Sequence, residues 1–228
     1  MKTPITKDAL RHHWNYSWWK YLMLVVCAIF GWNLIYTTTA YRPPEEKKVV
    51  LLAAFLGEQE ALNAYMEDIR VNEMPDMEQM DSMLMFMDET YGPMQLSTYI
   101  AAGEGDIYVL DKDNFQSYAA SGAFLPLEEI EGLQAYCEAH GMDLSKGWRV
   151  NTETGEKHLY GLPLKDLPGL QKYLYTTGDN YVSVIVNNMN NDNVVKFLNI
   201  MLRDMVSPST PTDLATPTTL ATVTDTAN

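Results

Sequence analysis

The sequence predicts an α/β fold: a mainly parallel sheet with helices on both faces, forming a single lobe and preceded by one transmembrane helix. Three observations predict it. Short apolar runs rich in β-formers alternate with stretches of helical periodicity, the pattern of strand and crossover helix. No charged residue occurs from Tyr21 to Tyr41. Both ends of the chain differ in composition from what lies between, so residues 49–206 hold the folded body.

The N-terminal elements come first. Residues 21–41, at 1.5 Å each, give a helix of about 31 Å, which matches the hydrocarbon thickness of a bilayer. Trp14, Trp18, Trp19 and Tyr21 cluster at one end and Tyr36 and Tyr41 at the other, where amphipathic rings favour the interface. Lys2, Lys7, Arg11 and Lys20 precede the span, while Arg42, Glu45, Glu46, Lys47 and Lys48 follow in near balance. The positive-inside rule places residues 1–20 in the cytoplasm and the body outside the cell membrane. A cleaved signal peptide is the competing reading, against which Trp32 and Asn33 interrupt the far end and Thr38-Thr39-Ala40 matches a cleavage site only loosely. A lipoprotein is disfavoured, because Cys27 follows Val25 and Val26 rather than a small residue.

Residues 42–48 form a stiff linker around Pro43-Pro44. Val49 to Phe55 then reads as a strand buried on both faces. Ala61, Leu62, Tyr65, Met66 and Ile69 mark one face of a helix ending near Arg70. Met83 to Met87 reads as the second strand, Gly92-Pro93 as a turn, and Leu96, Tyr99 and Ile100 as a helix that stops at Gly103. Ile107 to Leu110 is the third strand, followed by a helix through Phe115, Tyr118 and Ala119 that ends at Gly122. Three strand-helix units in succession imply right-handed crossovers and parallel strands.

Leu133, Tyr136, Cys137 and His140 share a face of a further helix. Trp148 to Thr152 and Lys157 to Leu162 read as a hairpin around Glu153-Thr154-Gly155-Glu156, and Tyr181 to Val186 as another β-rich run. The last helix is striped by Val194, Val195, Leu198, Met201, Leu202 and Met205, with Asn191 or Asp192 as its cap. Residues 207–228 are a Thr/Pro-rich tail whose composition predicts disorder. Cys27 and Cys137 occupy dissimilar contexts, so no disulfide is expected.

The run Gly105-Asp106-Ile107-Tyr108-Val109-Leu110-Asp111 through Leu127 resembles the first lobe of bacterial extracytoplasmic solute-binding proteins, the binding subunits of ABC importers. Lys157-His158-Leu159-Tyr160-Gly161-Leu162-Pro163-Leu164 is similar to the segment by which such chains leave that lobe. Tyr181 to Asn187, followed by Asn193-Val194-Val195-Lys196-Phe197-Leu198, is similar to the strand and helix by which they return. The resemblance implies a second lobe of comparable length, yet only about Lys165 to Asn180 lies between departure and return. One lobe alone is expected, with a shallow site in place of a closing cleft.

Candidate ligand-binding residues follow from the rule that open α/β sheets bind at the carboxyl ends of their strands. They are Gly57 and Glu58 after the first strand, Asp88 and Glu89 after the second, and Asp111 and Asn114 after the third, where Asp113 also lies. The same residue types serve equally as turn and helix-cap residues. Met74, Met77 and Met80 form a weak alternative Cu(I) site, because thioethers are soft ligands, whereas Met83, Met85 and Met87 alternate as one face of a strand. The four histidines show no metal-ligand spacing: His12 and His13 precede the span, His140 is on an apolar helix face and His158 in the hairpin. No GxSxG, P-loop or dinucleotide motif occurs, so no cofactor and no catalysis are implied.

Beyond residue 20 the chain carries 12 basic and 29 acidic residues, a formal charge of −17 that repels phosphate backbones and argues against nucleic-acid partners. The expected function is a membrane-anchored, non-catalytic extracytoplasmic binding module for a small solute or an envelope protein. A structural or assembly factor that kept the fold without the ligand is the alternative.

Overall fold

The structure, a computed structural model, describes residues 7–186 and 190–206, with residues 7–17 described by backbone alone. The tail expected from Ser207 onward lies outside the described residues. The chain divides into two units, Met1–Arg42 and Pro43–Asn228.

The first unit is one helix, α1 (Lys7–Thr39). Its stretch Trp18–Thr39, 22 residues with a mean hydropathy of 1.6, is long and apolar enough to cross a membrane. The hydroxyls of Thr37, Thr38 and Thr39 donate back to the carbonyls of Asn33, Leu34 and Ile35 at 2.9, 2.8 and 2.6 Å. These bonds satisfy the polar groups within the helix, as an apolar solvent requires.

The second unit begins with β1 (Lys48–Ala53), α2 (Gln59–Asn72), β2 (Gln79–Leu84), α3 (Gly92–Ala102), β3 (Ile107–Asp111) and α4 (Lys112–Ala120). Then come α5 (Leu133–Ala139), β4 (Trp148–Val150), β5 (Lys157–Leu159), β6 (Leu162–Pro163), α6 (Pro168–Gln171), β7 (Asn180–Val184) and α7 (Asn191–Val206). A five-stranded sheet runs in the order β2-β1-β3-β7-β6, and β4 and β5 form a separate hairpin. The pairs β1–β2 and β1–β3 are parallel, while β7 runs antiparallel to both β3 and β6.

Side-chain parity sorts the core into two layers. Val49, Leu51, Ala53, Ile107, Val109, Val182 and Val184 face Leu62, Met66 and Ile69 of α2 and Phe197, Leu198 and Met201 of α7. Leu52, Ala54, Tyr108, Leu110 and Tyr181 point the other way, against Leu96 of α3 and Phe115 and Ala119 of α4. The Phe115 ring lies at 4.4 Å from Tyr181 and 6.3 Å from Phe124, both stacked. Helices therefore cover both faces of a mainly parallel sheet, as the alternating pattern predicts.

Where the ladder between β1 and β3 begins, side chains extend it. Asp106, buried, accepts the Val50 N–H at 2.8 Å through its carboxylate, and its own N–H donates to the Val50 carbonyl at 2.8 Å. At the start of α7, Asn193 donates to the Glu46 carbonyl at 3.1 Å and to Asn190 Oδ1 at 2.8 Å, which fastens that helix to the entrance of β1.

The second strand departs from expectation. It spans Gln79–Leu84, not Met83 to Met87. As an edge strand it has one pairing partner and carries Gln79, Asp81 and Ser82 among its six residues, so it lacks the continuous apolar run that marks a central strand. Asn63 Oδ1 accepts both the N–H and the hydroxyl of Ser82 at 2.6 Å, and Gln59 donates to the Ser82 carbonyl at 3.1 Å. Two side chains of α2 thus block the exposed edge against further pairing.

Three smaller corrections follow. Gly92 and Pro93 open α3 rather than turn the chain, with proline in the first turn, where its missing N–H costs nothing. The second hairpin strand stops at Leu159, because the chain bends at Gly161 to bring Leu162 and Pro163 into the main sheet. A Cβ at Gly161 would stand 2.6 Å from the Phe115 ring, so only glycine fits that bend. Finally, His140 is exposed, not on an apolar face, and stacks on Tyr136 at 4.1 Å.

Candidate functional site: the carboxyl edge of the sheet

Because β1, β2 and β3 are parallel, their carboxyl ends share one edge. The antiparallel β7 begins there as well, and β6 ends there. All six predicted ligand-binding residues lie at that edge, Gly57, Glu58, Asp88 and Glu89 on the loops after β1 and β2, Asp111 as the last residue of β3 and Asn114 in the first turn of α4, and each has a definite local role except Glu89, which is simply exposed.

Gly57 pairs through its backbone with Leu174 in an isolated antiparallel bridge. A Cβ there would stand 2.0 Å from the Tyr173 carbonyl, so the glycine admits the connecting segment against the β1 loop. Glu58 donates its N–H to the Tyr173 carbonyl at 2.8 Å and accepts the Tyr175 hydroxyl at 3.4 Å. Asp88 accepts the N–H groups of Tyr91 and Thr90 at 2.7 and 2.8 Å, and these bonds hold its carboxyl below the usual carboxylate range. Asp111 is the N-cap of α4: one oxygen accepts from Asp113 N–H at 2.9 Å and Asn114 N–H at 3.0 Å, the other from the Asn114 amide at 2.5 Å. These bonds preorganise the loops, and the Glu58 and Glu89 carboxylates remain exposed at the edge.

The edge also carries residues that strand-end reasoning passes over. Residues 164–179 connect β6 to β7 and pack Leu164, Leu167, Leu170 and Leu174 into the core. This connection brings Tyr173 and Tyr175 to the β1 loop, with the Tyr175 N–H donating to the Leu56 carbonyl at 2.8 Å. Asp179, just before β7, pairs with Lys146 at 3.0 Å; the lysine holds its carboxyl below the ordinary range, with Lys112 and Lys165 contributing. These residues follow from the strand reversal, which no local sequence pattern encodes, since an antiparallel strand delivers its preceding loop to the edge that parallel strands reach with their following loops.

Leu56, Phe86, Tyr91, Met94 and Tyr175 are each more than half exposed. They sit on the loops after β1 and β2, on the first turn of α3 and on the connecting segment, so the apolar side chains of the edge point into solvent. The pair β1–β2 ends at Ala53 opposite Leu84, and the Met85 N–H donates to the Ala53 carbonyl at 2.8 Å, so the loops that carry Leu56 and Phe86 leave neighbouring strand ends.

Elsewhere the chemistry is structural. Met74, Met77 and Met80, the alternative metal ligands, are buried among Leu62, Met66 and Ile69. Among the described residues, no group of three His, Cys, Asp or Glu side chains is placed to hold a metal ion. His158 lies between Glu128, 2.6 Å from Nδ1, and Glu156, 3.4 Å from Nε2.

Compared with known proteins, the chain matches no family model and no curated protein. It is similar to solved structures of solute-binding proteins over about half its length. One is an extracellular solute-binding protein family 1 member from Alicyclobacillus acidocaldarius, 20% identical, covering 54% of this chain and 28% of that one with a TM-score of 0.38. A second is the N-glycan transport solute-binding protein of Streptococcus pneumoniae in complex with Man5GlcNAc, 17% identical, covering 51% and 24% with a TM-score of 0.36. A third is the galacto-N-biose-/lacto-N-biose I-binding protein of Bifidobacterium longum, 15% identical, covering 54% and 29% with a TM-score of 0.36. The chain spans less than a third of the length of each.

Proposed function

We propose that this chain is a membrane-anchored, non-catalytic binding module displayed outside the cell membrane by α1, and that it binds through the carboxyl edge of its sheet. The observation that carries the reading is the edge itself: preorganised loops with exposed aromatic and apolar side chains at the place where α/β sheets bind. The sequence resemblance to the first lobe of solute-binding proteins supports it. The apolar length of Trp18–Thr39 supports the anchor.

A binding edge without an opposing lobe gives a ligand fewer contacts than an enclosed cleft, so small-solute affinity is modest. Thermal unfolding of the full chain in zwitterionic nanodiscs, against a panel of oligosaccharides, peptides and metal ions, tests the reading. A bound ligand at a hundred times its Kd adds about 2.7 kcal/mol of stability. A flat response across the panel, together with a membrane protein that co-purifies stably, would favour an assembly factor that kept the fold without the ligand.

A further inference from the structure

Of the large apolar side chains that the second unit exposes, Leu56, Phe86, Tyr91, Met94 and Tyr175 gather at the carboxyl edge, and the rest are scattered. Their makeup, three aromatics with a methionine and a leucine, is that of the centre of a protein interface, where such side chains supply most of the binding energy. They stand on fixed backbone. The Tyr175 N–H is bonded to the Leu56 carbonyl at 2.8 Å, and Asp88 ties down Thr90 and Tyr91 immediately before α3. Holding these side chains in place before binding lowers the ordering cost that a partner must offset.

The charges around them select the partner. Glu58, Asp88, Glu89, Asp111 and Asp113 follow the three parallel strands with Lys112 among them, and the connecting segment adds Asp166 and Asp179 against Lys165, Lys172 and the Asp179 partner Lys146, so the edge carries seven carboxylates against four lysines and is net acidic. A second copy of this chain would bring the same formal charge of −17 beyond residue 20 and an identical acidic rim, which repel. Resting on the reading that the carboxyl edge is the binding surface, we infer that this edge docks a protein segment that is apolar and aromatic at its centre and basic at its rim. The apolar side chains anchor it, and the carboxylates steer it and fix its register.

Selection of a random peptide library on the full chain in zwitterionic nanodiscs, with depletion on empty nanodiscs, tests the inference. The expected result is enrichment of sequences that combine Arg or Lys with Trp, Phe or Leu. The enriched peptide binds Phe86→Ser and Met94→Ser about tenfold or more weakly, the scale of a lost anchor. Glu89→Lys slows its association and flattens its salt dependence, the behaviour of a rim charge. All three positions are exposed, so an unchanged Tm confirms that each variant is folded. Enrichment of acidic sequences, or binding indifferent to all three substitutions, overturns the inference. Oligosaccharide binding that Phe86→Ser abolishes, with no peptide enriched, also overturns it while leaving the edge as a binding surface. Enrichment of no peptide together with no oligosaccharide binding removes the underlying reading as well.

Discussion

His158 is held between Glu128 and Glu156, and the hydrogen bond it donates to Glu128, foremost among these contacts, pushes its imidazole above the usual range. A folded pKa above the unfolded value of about 6.5 means that this stabilisation is fully present below the unfolded pKa and is lost as pH rises through the folded one. His158→Gln is therefore expected to lower Tm more at about pH 6 than at about pH 8.5, relative to the native chain. Equal losses at the two values would reduce His158 to a packing role. Ser183 behaves differently. Its hydroxyl is fully buried on β7 with no partner among the described residues, so Ser183→Ala removes an unsatisfied group. Such a change is expected to leave Tm unchanged or raise it slightly, because no hydrogen bond is lost. At the candidate site, Asp88 and Asp111 were legible as residues of the edge, and also as turn and cap residues, since both roles use the same short carboxylates. The bonds to Thr90, Tyr91, Asp113 and Asn114 show how the loops are built. Tyr173 and Tyr175 were not legible there, because their place depends on a bridge to Gly57 more than a hundred residues away.

At the scale of elements, the edge strand and its helix form one device. Asn63→Ala would leave the Ser82 N–H and hydroxyl without their acceptor, at a cost of about 1–3 kcal/mol. The same substitution opens the strand edge, so concentration-dependent association is expected to rise with the loss of Tm. Light scattering that stays flat across concentration would show that the edge is protected by other means. Close packing at Gly161 gives a second expectation: Gly161→Ala drives a methyl into the stacked Phe115 ring and costs about 1–3 kcal/mol by overpacking, read by denaturant unfolding. Central strands announced themselves in the sequence because burial on both faces demands unbroken runs such as Val49 to Ala53. The β2 strand did not. Three polar residues in four make Gln79-Met80-Asp81-Ser82 read as a loop, while the alternating methionines after it read as a strand. The reading of Met83, Met85 and Met87 as one face of a strand fails: only Met83 lies in β2, where it is exposed, while Met85 and Met87 pack into the α3 and α4 layer from the loop that follows.

For the whole molecule, the short connection of residues 164–179 is decisive. It closes one lobe on itself by burying Leu164, Leu167, Leu170 and Leu174, and it leaves the apolar side chains of the carboxyl edge facing water. The lobe was legible from its three strand-helix units and from the shortness of the Lys165–Asn180 segment. The strand order was not, because pairing between β3 and β7 joins residues about seventy positions apart and no local pattern encodes it. The anchor is checked separately: the full chain is expected to stay with membranes through an alkaline carbonate wash, and release into the supernatant would show that α1 does not span them. The claim that the edge is the working surface is tested most directly by amide hydrogen exchange of the full chain in nanodiscs, free and with the panel member or selected peptide that stabilises it most. Slowed exchange is expected, confined to residues 54–58, 85–94 and 173–176. Protection centred instead on the β4–β5 hairpin or α5, with those three segments unchanged, would contradict it.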